Sequence, residues 1–156
     1  MIYYIDFEHV LRIHNAVLKE SGGAPGTINE DYIKGILEFL QNDDYYPSFT
    51  EKLSYLVYSI ASNHCFLDGN KRTAIATGMY FLLINDYDIP TIDKFTKIME
   101  NAVPFAVSGI ISREDLTENI AIILWDLEPF ESDKIKYIGK LSAKINKLKS
   151  HYALTE

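Results

Sequence analysis

Apolar residues recur at intervals of three and four through nearly every segment of this chain, and clusters of Gly, Pro, Asn and Asp separate the segments. That period places apolar side chains on one face of an α-helix, and the separators are the residues that end helices. The chain is therefore expected to be all-α. At 156 residues, 47% hydrophobic and 24% charged, it has enough apolar side chain for one compact domain, and nothing requires a second.

The first helix is expected over FEHVLRIHNAVLKE, capped by Asp6, preceded by a short extended piece at IYYI and stopped before the glycines of SGGAPG. Asn29 caps the second, EDYIKGILEFLQ, whose apolar stripe is Ile33, Ile36, Leu37 and Leu40. NDDYYPSF then reads as an exposed loop or small hairpin, whose tyrosines either grip a partner or fold back on the core. Thr50 is placed as the cap of EKLSYLVYSIASN, a helix buried over much of its circumference. KRTAIATGMYFLLIN has the composition of a central buried helix, with Gly78 allowing close approach of a neighbour. Pro90 opens TIDKFTKIMENAVPFAV, and Ser112 caps REDLTENIAIILWDL.

Charge divides the chain. Residues 1–130 carry 9 Lys+Arg against 19 Asp+Glu, and residues 131–156 carry 6 lysines against 3 acids, within a total of −7. We therefore assign residues 1–130 to the domain and 131–156 to an amphipathic, lysine-rich helix packed on it or extending from it. An acidic body argues against nucleic-acid binding. The opening MIYYIDFEHV carries Asp6 and Glu8 and has neither a basic leader region nor a long apolar run, so no signal peptide or membrane span is expected. The expected location is the cytoplasm, and a single Cys65 is compatible with a reducing compartment, as a small buried hydrophobe.

The chemistry concentrates in HCFLDGNKR, His64 to Arg72, on the tight connection before the central helix. A helix N-terminus presents unpaired N–H groups and partial positive charge, which suits an anion. Gly69 lets backbone approach a ligand. Lys71 and Arg72 oppose the helix dipole in the first turn, a conflict that a polyphosphate relieves. Asp68 together with phosphate oxygens is a common way to hold Mg²⁺, and a neutral His64 can take a proton from an attacking hydroxyl. Taken singly, each residue also has a structural explanation, as a turn cap, an N-cap or a solvated cation. Their concurrence on one connection favours transfer from a nucleotide to a hydroxyl. That reading needs imidazole, carboxylate and guanidinium to face one shared hollow. The chain has no GxxxxGK[ST] loop and no HExxH helix, and His9, His14 and His151 lack metal-ligand spacing and are read as structural or surface residues.

His64, Phe66, Asp68, Gly69, Asn70, Lys71 and Arg72 together resemble the HxFx[DE]xNxxR signature of the Fic and Doc (death-on-curing) family, in its Doc-like form ending in NKR. The resemblance extends from GGAPG through NDDYYPSF to FLLINDYDI. It implies a compact helical bundle with a short flap hairpin or loop before the motif. It implies His64 as general base, Asp68 as Mg²⁺ ligand and Phe66 as buried anchor of the loop. Gly69, Asn70, Lys71 and Arg72 would bind the phosphates of ATP, and Tyr45 and Tyr46 would lie on the flap that aligns the target protein by strand-like pairing.

Adenylylating relatives carry a second glycine where this chain has Lys71. Doc-like members with lysine there phosphorylate a protein hydroxyl, with elongation factor Tu the target by analogy, and an antitoxin restrains them. Phosphorylation from ATP is thus the expected activity, and adenylylation is the alternative because Gly69 is shared with the adenylylating branch. A catalytically idle binding module is a third reading. The family's inhibitory pattern [ST]xxxE[GN] is matched by Thr96, Glu100 and Asn101, which fall inside a core helix, and the match is assigned to chance.

Overall fold

A computed structural model describes residues 1–125. The tail assigned to 131–156, with His151, and the end of the last expected helix, including Leu127, lie outside the described residues. Six α-helices follow in order: α1 Phe7–Ser21, α2 Glu30–Phe39, α3 Phe49–Ser62, α4 Asn70–Ile84, α5 Ile89–Val107 and α6 Arg113–Leu124. The all-α expectation holds.

The antiparallel pair α3 and α4 forms the centre, with α1 and α5 against α4 and with α2, α5 and α6 against α3. Leu53, Leu56, Val57 and Ile60 of α3 are fully buried, as are Ala74, Phe81 and Leu82 of α4. Gly78 permits this packing, because a Cβ there would stand 2.8 Å from both Phe95 Cζ and Val57 Cγ2. The connection between the two innermost helices is residues 63–69, so the densest part of the core holds the motif loop from both sides.

Caps fall largely where sequence places them. Asp6 accepts from the His9 N–H, Asn29 from Tyr32, and Ser112 forms a capping box with Asp115. Two caps differ. α3 begins at Phe49 on a Ser48–Glu51 capping box, and Thr50 is a buried residue of the first turn. The S-x-x-E spacing was the stronger start signal, because it satisfies orphan N–H groups reciprocally. Similarly, Asp88 caps α5 ahead of Pro90, accepting from the Thr91 N–H. The IYYI segment is extended without joining a sheet, and Asn85 holds it by accepting from the Tyr3 N–H and donating to the Tyr3 carbonyl.

Residues 41–48 form turns, and no hairpin is present there. Of the two outcomes left open for its tyrosines, folding back is seen for Tyr46, while Tyr45 is 65% exposed. Tyr46 stacks on Tyr55 of α3 with ring centroids 4.2 Å apart, and Tyr45 lies 4.8 Å from Phe39 of α2. Lys52, fully buried in α3, tethers the base of this loop: its ammonium donates to the Leu40 carbonyl at 3.1 Å and pairs with Asp43 at 2.8 Å.

Candidate active site

The motif begins where α3 ends. Asn63 is the C-cap, and His64 follows with φ 48°, in the left-handed position that glycine usually fills after a helix. A non-glycine residue there costs about 1–2 kcal/mol, a strain that recurs at functional sites. The His64 side chain is exposed, with no hydrogen-bond partner among the described residues.

The next two side chains turn inward. Cys65 is buried, and desolvation pushes its thiol up to about 11, which removes it as a nucleophile. Phe66 is fully buried under the His14 ring, with centroids 3.8 Å apart and planes 9° from parallel. His14, only 3% exposed, also places Nε2 2.9 Å from the Asp68 carbonyl, so it clamps the loop at two points. From sequence His14 reads as a structural or surface residue, and the structure makes it structural. The available signal was its place four residues after Val10, a polar ring on the buried stripe of α1.

Asn70 closes the loop. Its side chain accepts from the Phe66 N–H and donates to the Phe66 carbonyl, each at 2.9 Å. Both ends of the amide are thereby used within the protein, and what Asn70 still offers a ligand is its backbone N–H as the first residue of α4. Gly69 is the N-cap at φ 77°, with no side-chain cap bond. The first turn of α4 therefore has no acid and no cap, and it carries Lys71 and Arg72.

Asp68 and Arg72 reach back across the end of α1. The Asp68 carboxylate accepts from the Ala24 N–H at 3.0 Å and the Gly69 N–H at 2.7 Å, and lies 3.6 Å from the Arg72 guanidinium. These hold its pKa below the usual carboxylate value, the Ala24 N–H most of all, then that of Gly69, with Arg72 adding. Arg72 Nη1 donates to the Ser21 hydroxyl and, at 2.8 Å, to the Gly22 carbonyl. Gly23 lies so close that a Cβ would stand 2.7 Å from the Asp68 carboxylate. Further along, Leu67 donates to the Gly26 carbonyl, Ile28 donates to the Cys65 carbonyl, and Thr27 and Phe66 form an isolated antiparallel bridge. Strand-like pairing within the chain therefore occurs between residues 26–28 and the motif. GGAPG carried the signal, since its glycines take the positive φ that this close approach demands.

A hollow of about 450 Å³ opens beside the α4 N-terminus, walled by the loop from Leu67, by Lys71, Arg72 and Ile75, and across from them by Glu100 and Pro104 of α5. Of the three groups expected at one hollow, the structure brings only two to this wall, Asp68 and Arg72, because the left-handed turn at residue 64 sets the imidazole off before the loop enters the hollow. His64 is not a wall residue, and stands exposed at the start of the loop. Glu100, set aside as a chance match, is brought to the hollow although α5 is a packed core helix; Thr96 bonds its own helix at the Ile92 carbonyl. Tyr45 and Tyr46 belong to a separate cleft, beside α6.

Among the described residues no group of three or more His, Cys, Asp and Glu could hold a metal, and no helix is long and apolar enough to cross a membrane. The hollow has two carboxylates among its described wall residues, Asp68 on the loop and Glu100 across from it on α5; the one beside the α4 N-terminus that would hold a divalent cation is Asp68, whose side chain is 47% exposed and whose oxygens each retain a lone pair. That donor set fits Mg²⁺, which accepts one carboxylate when phosphate and water complete its shell.

A helical bundle presenting this loop at a bare helix N-terminus defines a chain of the Fic/DOC family: the family's sequence profile matches residues 4–82, just over half of the chain, and the protein belongs to that family. Its Doc-like character is carried by two relatives. Over 52 residues it is 44% identical to Toxin Doc of Mycolicibacterium smegmatis, a span covering 30% of this chain and 40% of that protein. Over 90 residues it is 30% identical to Protein kinase doc of Escherichia phage P1, covering 55% of this chain and 71% of that protein. The match thus spans less than half of the first relative and under three quarters of the second.

Proposed function

We propose that the protein transfers the γ-phosphoryl group of ATP to a side-chain hydroxyl of another protein. The observation that carries this reading is the pairing of an unbonded, exposed imidazole with an uncapped, doubly cationic helix N-terminus at the two ends of one rigid loop. The N–H groups of Asn70, Lys71 and Arg72, with the Lys71 ammonium, bind and orient the polyphosphate. Arg72, braced by Ser21 and Gly22, adds a fixed charge. Asp68 would hold Mg²⁺, which when bound supplies charge neutralisation for the phosphates. His64 takes the proton of the target hydroxyl as its oxygen bonds to the γ-phosphorus and the bond to the ADP oxygen breaks. A name of one relative, Protein kinase doc, supports the phosphoryl assignment. The name Toxin Doc supports a toxin; action in the cytoplasm, restraint by an antitoxin and elongation factor Tu as target by analogy complete the proposal.

Adenylylation is the second reading, favoured by the glycine at position 69. Yet Gly69 has a backbone reason to be there, its left-handed conformation, so it weighs little between the two. ATP labelled separately on its α- and γ-phosphates, incubated with the chain and a bacterial lysate, tests the proposal. Label reaching protein from the γ-position, and lost in His64→Ala, is expected. Label from the α-position alone would replace phosphorylation by AMP transfer, and a cellular effect that survives His64→Ala would favour an idle binding module.

A further inference from the structure

The helix that delivers His64 has a narrow solvent face. In α3 the half-exposed positions after the first residue are Glu51, Tyr55, Tyr58 and Ser62, spaced at three and four, while the residues between them are buried. They form one stripe that ends at the Asn63–His64 turn. At its far end the stripe enters a cleft of about 380 Å³ between the tyrosine loop and the start of α6.

That cleft has aromatic walls and an acidic rim. Tyr45 and the stacked pair Tyr46 and Tyr55 line it together with Glu114 and Glu118, with Glu51, whose carboxylate accepts from Ser48, and with one cation among the described residues, Arg113. Glu114 and Glu118, one turn apart on α6, have no side-chain partner among the described residues. The Arg113 guanidinium already lies 5.1 Å from the Tyr58 ring centroid, so the stripe holds a cation over an aromatic face. Lys52 fixes the base of the loop that forms one wall, through Leu40 and Asp43, and the cleft is thereby preformed. Rings beside carboxylates attract a cation, by the ring quadrupole and by charge.

We infer that this cleft is a subsite for a lysine or arginine side chain of the protein target, in a segment lying along the α3 stripe toward His64. The inference rests on the transfer reading above and names the target's chemistry. Tyr55 precedes Ser62 by seven residues, two turns on the same face, or about 10 Å at 1.5 Å per residue. The turn to His64 adds a few ångströms. An extended segment advances about 3.3 Å per residue, so the basic residue stands about four or five positions from the modified hydroxyl.

The test uses the full chain, ATP labelled separately on its α- and γ-phosphates, and a bacterial lysate, with the labelled peptide sequenced and its parent protein then purified as substrate. Wild type is compared with the Glu114→Gln/Glu118→Gln double variant, whose folding is checked by circular dichroism. The expected result is a basic residue four or five positions from the labelled hydroxyl. The double variant should need about five- to tenfold more target for half-maximal labelling, recover at saturating target, and show a weaker salt dependence. If both proteins label the target with equal KM, or the modified segment has no basic residue within six positions, the subsite is wrong while the transfer reading stands. Absence of label from either phosphate would remove the transfer reading, and this inference with it.

Discussion

His14 is the residue through which α1 holds the motif loop, and its replacement separates two contributions. The ring is 3% exposed, stacks on Phe66 and bonds the Asp68 carbonyl. His14→Phe keeps a flat ring over Phe66 and removes only the hydrogen bond, worth about 1 kcal/mol net, or up to about 2 if the carbonyl finds no water. His14→Ala also removes the stack, worth about 0.5–1.5 kcal/mol, and leaves a cavity at a core aromatic. Truncating larger aromatic rings to Ala costs about 3–5 kcal/mol, so about 3–4 is expected for this smaller ring. Urea unfolding followed by circular dichroism, at constant slope, gives both values. Labelling of a target from ATP should fall in both variants, because Asp68 and the first turn of α4 lose their brace. Equal stability of His14→Ala and wild type, or equal losses in the two variants, would refute the account of His14 as a two-point clamp.

Other outcomes follow from the same geometry. The Asp68 pKa is lowered in the folded state from 3.8, so its contribution is present above about 4 and is lost as pH falls through the lower folded value. The stability difference between wild type and Asp68→Asn, from urea titrations at pH 7 down to 2, should therefore shrink steadily below about pH 4; a constant difference would contradict the hydrogen bonds from Ala24 and Gly69. Gly23→Ala combines φ 129° with a Cβ 2.7 Å from the Asp68 carboxylate, and should displace the loop, lowering the melting temperature and abolishing labelling. Ser48→Ala removes the α3 cap and should cost about 1 kcal/mol in urea unfolding. Glu100→Gln removes a carboxylate that faces Lys71 and Arg72 across the hollow, and calorimetry should show ATP binding strengthened about two- to tenfold, in line with about 0.5–1.4 kcal/mol of relieved repulsion. Unchanged affinity would return Glu100 to the role of a surface residue.

Much of the site was legible because it is contiguous. His64, Asp68, Gly69, Lys71 and Arg72 fall on one nine-residue connection, so any fold that pairs α3 with α4 keeps them on one loop, but only the last four line the hollow. The buried role of Phe66 and the close approach at Gly78 could likewise be read from residue type within an apolar period. Where two caps compete, at Ser48 against Thr50 and at Asp88 against Pro90, proximity to the apolar run points to the second of each pair, while the side-chain hydrogen bond to the helix N–H groups is made two residues earlier.

The sequence by itself determined that the chain is a helical bundle and that a helix start bearing two cations follows a histidine, because periodicity and turn chemistry are local. What the tertiary structure decided are contacts between residues far apart in the chain. His14 lies 54 residues from Asp68, Gly22 lies 50 from Arg72, and Glu100 reaches the hollow from another helix. Asn70, which reads as a phosphate ligand, uses its amide to bind the Phe66 backbone, and Tyr46 of the loop folds onto Tyr55. Side-chain direction depends on which partners burial supplies, and only the assembled core supplies them.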